Sequence, residues 1–186
     1  ISSKLRFEPS DQLRFGAVAR FETSQGEFDG FAFPAGPVDG DELSENESFT
    51  IAGFAAHKLI DGKLENRFSI THLENDRLNL SSGAPTFDAL GKRTAYEYQA
   101  HLTPSEKLSL IAGTEYDVQE SIVDVGFGGN QKIKTIAGFG LAQVTLKKGV
   151  TLNGGVRHDT SKDFGSKTTF SISGAAKISQ ASPILR

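Results

Sequence analysis

The sequence predicts an all-β chain, an antiparallel up-and-down transmembrane β-barrel with about nine or ten strands present. Three observations lead there. Apolar and polar residues alternate with period 2 through most of the 186 residues. The alternating runs are about 9–12 residues long, the length needed to cross a bilayer at a tilt, whereas strands of water-soluble sheets average nearer 5–6. The connections between runs are short and long in turn, which is the layout of an outer-membrane barrel with tight turns at one end and long loops at the other.

The elements follow in order. The first strand covers about 1–7, with Ile1, Leu5 and Phe7 on one face. A tight connection over Glu8 to Gln12 leads to the second, about 12–22, where Leu13, Phe15, Ala17, Ala19 and Phe21 oppose Arg14, Arg20 and Glu22. A long polar loop, about 23–46, precedes the third strand, about 47–59. Asp61-Gly62 makes a tight turn into the fourth, about 63–72, where Leu64, Phe68 and Ile70 alternate with Glu65, Arg67 and Ser69. After a loop over about 73–93, the fifth strand sets Tyr96, Tyr98, Ala100 and Leu102 against Glu97, Gln99 and His101. Thr103 to Glu106 turns tightly into the sixth, about 107–116. A loop over about 117–131 opens the seventh, about 132–147, whose alternation is blurred by Phe139 and Leu141. Lys147 to Gly149 turns into the eighth, about 150–158; a loop over about 159–166 leads to the ninth, about 167–178; a tenth begins at Ile184.

Composition narrows the function classes. The 186 residues form a single β-barrel segment, residues 1–186, with no second domain. There is no Cys, so disulfide staples, thiol nucleophiles and Cys-ligated metals are excluded. The 20 Gly and 14 Phe suit a curved sheet better than an ordinary core. With 20 basic and 23 acidic residues and no basic stripe, a nucleic-acid partner is not expected. No run approaches the roughly 20 apolar residues of a membrane helix, and Ile1-Ser-Ser-Lys4 reads as strand and not as a signal peptide.

Few constellations carry chemistry. The loop over about 23–46 is the most acidic segment, with Glu27, Asp29, Asp39, Asp41, Glu42, Glu45 and Glu47 among Gly26, Gly30, Gly36 and Gly40. Carboxylates and carbonyls on a flexible loop are what Ca²⁺ requires, although the spacing is not that of an EF-hand and a solvated polar loop has the same composition. His57, His72, His101 and His158 lie on different strands and lack the spacing of a helical zinc motif. Gly126-Phe-Gly-Gly129 has no strand-then-helix context and reads as a loop tip. Phe28, Phe31 and Phe33, near Pro34 and Pro37, either line a ligand site at a barrel mouth or pack the loop on itself. Tyr96, Tyr98 and Tyr116 fit either an interfacial girdle or core packing. No Gly-x-Ser-x-Gly elbow is present, and His158 and Asp159, adjacent on a strand, point to opposite faces, so an enzyme is not expected.

Several motifs carry a resemblance. Leu152-Asn-Gly-Gly-Val-Arg-His-Asp159, Asp163-Phe-Gly165 and Thr168-Thr-Phe170 resemble the mid-barrel signature of TonB-dependent outer-membrane receptors. Phe28-Asp-Gly-Phe31, Gly62-Lys-Leu-Glu-Asn-Arg67, Gly83-Ala-Pro-Thr-Phe87 and Gly91-Lys-Arg-Thr-Ala-Tyr-Glu-Tyr98 look like the cobalamin-receptor-like branch. The resemblance covers nearly the whole chain. It implies a bacterial outer-membrane location among lipid, a segment of a 22-stranded barrel, and uptake of a scarce metal chelate, cobalamin or siderophore-like, without covalent chemistry. The ligand would be met by the loops over 23–46, 73–93, 117–131 and 159–166. Energy would come from TonB through a plug domain that this chain lacks. The same resemblance makes Asp29, Asp39 and Asp41 candidate calcium ligands and implies no required cofactor. Two other readings are open on the residues alone: a self-contained ten-stranded outer-membrane barrel, protease or porin-like, and a water-soluble β-sandwich binding module.

Overall fold

The computed structural model describes residues 1–125, 128–147 and 149–176. Nine strands follow one another: β1 (Ser2–Ser10), β2 (Leu13–Ala32), β3 (Gly36–Leu59), β4 (Leu64–Ser81), β5 (Ala84–Ser105), β6 (Leu108–Val125), β7 (Gly129–Lys147), β8 (Val150–Ser161) and β9 (Gly165–Ala176). Each pairs antiparallel with the next, giving one up-and-down sheet in the order β1 to β9. Among the described residues β1 and β9 do not meet, so the sheet is unclosed. The fold matches a segment of a β-barrel. The expected tenth strand from Ile184, the Lys177–Ile178 end of the ninth, and Gly126-Phe127 of the glycine-rich segment lie outside the described residues.

The sheet is a single layer, which excludes the β-sandwich. The chain exposes 13640 Å², whereas a globular protein of its 20.0 kDa mass exposes roughly 8,700 Å². Among the described residues the buried ones are Ala56, Ala137, Asp117 and Ser161. With no second layer, the two faces of the sheet carry the whole physical character of the molecule.

The register defines those faces. Leu5, Ala17, Gly53, Ile70, Tyr96, Tyr116, Ile136 and Thr160 form one row of partners across eight strands. The adjacent row, on the other face, runs Arg6, Gly16, Phe54, Ser69, Glu97, Glu115, Ala137, Asp159 and Lys167. One face is therefore apolar and the other charged. The apolar face is uncovered: Phe170 is 80% exposed and Ile172 87%.

The long connections are the main correction to the sequence reading. The segments 23–46, 73–93, 117–131 and 159–166 are mostly ladder, not loop. β2 and β3 stay paired from Leu13↔His57 up to Ala32↔Gly36, with one register shift between Phe28 and Gly30. The 73–93 segment reverses in two residues, Ser82 and Gly83, both at positive φ (51° and 77°), the mirror-image turn that suits a twisted hairpin. β8 and β9 are joined across 162–164 alone. Strands β2 to β7 are consequently 18–24 residues long instead of the expected 9–12. The predicted tight turn at Asp61-Gly62 is present, with Gly62 and Lys63 donating to the Leu59 and Ile60 carbonyls at 3.1 and 3.0 Å.

Candidate functional site

The apolar face ends at a charged row. Phe21 and Phe49 continue into Glu74, Lys92, Glu120 and Lys132 along successive partners. Lys92 Nζ sits 3.1 Å from Glu74 Oε1, and Lys132 Nζ 3.3 Å from Glu120 Oε2. His72 lies one outward-facing position below, bonded to Thr94 Oγ1 at 2.8 Å and to Glu74 Oε1 at 3.2 Å. Tyr96 and Tyr116 stack two such positions below the row, ring centroids 6.3 Å apart. With Tyr98 they are 36–42% exposed, so they do not pack a core.

Beyond this row, β2 and β3 project furthest. Glu22 to Ala32 extends roughly 36 Å past the apolar rim at the rise of a strand. Phe31 and Phe33 at its tip are 74% and 92% exposed, so they do not pack the hairpin on itself. The charged face of the projecting hairpins becomes amide- and hydroxyl-rich. Ser44 donates to Asn79 Oδ1 at 2.9 Å, Ser81 to Glu42 Oε1 at 3.3 Å, and Arg77 stands over the Phe87 ring at 6.0 Å. Such a surface offers hydrogen bonds to a polar solute without a fixed charge preference.

Asp29, Asp39 and Asp41 fall in one irregular stretch, between the pairs Phe28↔Glu42 and Gly30↔Val38. All three are exposed. Among the described residues no three His, Asp or Glu side chains are grouped to hold an ion. Two of the loop glycines have a spatial role. Gly30 and Gly40 make room for the Glu42 carboxylate, which a Cβ at Gly30 would meet at 2.6 Å. Glu42 Oε2 is enclosed there without a hydrogen-bond partner.

Lower on the charged face a network spans β5, β6 and β8. Arg93 Nε donates to Asp117 Oδ2 at 2.6 Å, and Gln119 to Asp117 Oδ1 at 2.9 Å. Arg157 bridges Glu115 (3.0 Å) and Asp159 (2.9 Å). The sequence placed Asp117 at the start of a loop, yet its side chain is 8% exposed. His158 sits on the opposite face from Asp159, bonded to Thr168 Oγ1 at 2.8 Å, as the alternation requires. His101 bonds Ser109 at 2.8 Å, and His72 is the histidine held between a hydroxyl, Thr94, and an acid, Glu74.

The chain superposes on the crystal structure of the siderophore receptor PirA from Pseudomonas aeruginosa over 95% of its length, with a TM-score of 0.76 and 14% identity. The match takes in 30% of that protein, so the chain spans less than a third of its length. At this identity the likeness shows the fold. It is to a siderophore receptor and lends no support to the cobalamin-receptor-like branch. No protein-family model and no curated protein sequence matches the chain.

Proposed function

We propose that the chain forms part of the barrel of a TonB-dependent outer-membrane receptor that takes up a metal chelate of the siderophore class. The observation that carries this reading is the two-faced single sheet. An uncovered apolar face ends at a charged row, and its opposite face carries the ion-pair network of β5, β6 and β8 and the polar surface of the hairpins. Lipid suits the first face and a wet lumen the second. The stacked tyrosines near the rim then form an interfacial girdle. The hairpins β2–β3, β4–β5 and β6–β7 reach out on the extracellular side, where their amide and hydroxyl groups meet the ligand. The function is binding and passage, without covalent chemistry.

Deleting the gene is the test. Loss of ferric-siderophore uptake, restored by the gene on a plasmid, supports the reading. Unchanged uptake of ferric chelates would overturn it. A chain that stays monodisperse without detergent would overturn the membrane placement.

A further inference from the structure

The charged face has a second feature, at the end away from the projecting hairpins. Lys4 and Arg6 of β1 and Arg67 of β4 line one hollow of about 380 Å³ over Gly16 and Phe54, and no carboxylate lines it. We propose that this hollow is a binding station for small polyanions bearing carboxylate or phosphate groups. The proposal rests on the receptor reading only in placing the charged face toward the lumen.

Three observations support it. First, the cations there are left over. Below the charged row the other arginines of this face are matched: Arg14 to Glu65 at 2.7 Å, Arg20 to Glu22, Arg93 to Asp117, and Arg157 to Glu115 and Asp159, whereas Arg77, on the projecting β4–β5 hairpin, bonds Asn79 and has no ion pair among the described residues. Arg6 is tied to Glu8, but Lys4 and Arg67 make no ion pair among the described residues. Like charges lining one hollow repel, and an anion between them relieves that cost. Second, Arg67 is oriented. Its guanidinium lies 3.9 Å over the Phe54 ring, so its plane is held while its N–H edge stays free for a carboxylate or phosphate. Gly16, directly opposite Phe54, makes this stack possible, because a Cβ there would run into the ring. Third, the volume is that of a small-molecule site, with the Ser69 and Thr71 hydroxyls as further donors.

The sheet contains an internal control. Gly113, Phe139 and Arg157 place the same three residue types on β6, β7 and β8, with Arg157 directly opposite Phe139 and 6.0 Å over its ring, where Arg67 is diagonal to Phe54. There the arginine is already engaged by two carboxylates. The glycine–phenylalanine–arginine combination therefore occurs once with an unpaired arginine and once with a neutralised one.

The test is calorimetric titration of the full chain in neutral detergent micelles, at low salt, with benzene-1,3,5-tricarboxylate as probe. Binding is expected to weaken with added salt. K4Q/R67Q is expected to lose about tenfold in affinity or more, and R67K, which keeps the charge without the stacked plane, falls between. R157Q binds as the parent does. If the double variant does not fold, K4Q alone, which touches no ring, shows a loss of about threefold. Absence of probe binding, equal affinity in parent and K4Q, or binding of a hexaglutamate peptide without binding of the probe would overturn the proposal. Uptake lost on gene deletion with no probe binding sinks the station alone. Probe binding with uptake unaffected by deletion sinks the receptor reading alone.

Discussion

Phe139 stands directly across the β6–β7 ladder from Gly113, and its ring covers the glycine. A Cβ at Gly113 would lie 2.5 Å from both that ring and the Tyr98 carbonyl. Backbone cannot rotate away, so G113A is expected to cost about 1–3 kcal/mol. The readout is the urea midpoint of the chain in micelles. Gly138 is the control, because a Cβ there meets nothing within 4 Å. G138A is expected to leave the midpoint unchanged or raise it. Equal losses for the two variants would show that the ring does not seal Gly113.

On the receptor reading proposed above, the charged row is where lipid ends. Ala142, opposite Leu110, lies in the apolar band far from Glu120 and Lys132. A142R is expected to cost about 2–4 kcal/mol of folding stability in bilayers, and E120Q close to none. Spin labels at the two positions are expected to differ in the same sense, oxygen-accessible at 142 and accessible to polar relaxants at 120. Matching accessibility would remove the boundary.

The polar stretch from Thr23 to Phe28 is laddered against Glu42 to Glu47 without a break. Its amides are expected to exchange at least about a hundredfold more slowly than those of the tip at 33–35. Hydrogen–deuterium exchange with peptide resolution reads this directly. Exchange as fast as the tip would mean that the ladder is not held in solution.

The legible parts of the sequence were those where one face of a strand is apolar and the other polar. Leu64, Phe68 and Ile70 against Glu65, Arg67 and Ser69 assigned β4 its two faces correctly. The turn at Asp61-Gly62 was legible because Gly accepts the left-handed backbone the turn needs, φ 82° at Gly62. Phe139 blurred the seventh strand because a large ring on the charged face looks out of phase. Its reason, the glycine across the ladder, lies on another strand. The candidate site was less legible. The acidic loop residues Asp29, Asp39 and Asp41 share one register break that the sequence did not show, and two of the loop's glycines, Gly30 and Gly40, shelter Glu42. The unpaired Lys4 and Arg67 carried no local signal, since pairing is decided by neighbours on other strands.

The sequence by itself determined the strand class, the two faces and the tight turns at one end. These are local properties, written in a period of two wherever the two sides of a strand meet different media. Only the tertiary structure decided how far the strands run and which charges meet. Above the charged row both faces of each hairpin carry polar residues, so the apolar–polar alternation disappears while the backbone ladder continues. Cross-strand pairing follows register, a relation between distant segments, and it alone made Arg157 engaged and Arg67 free.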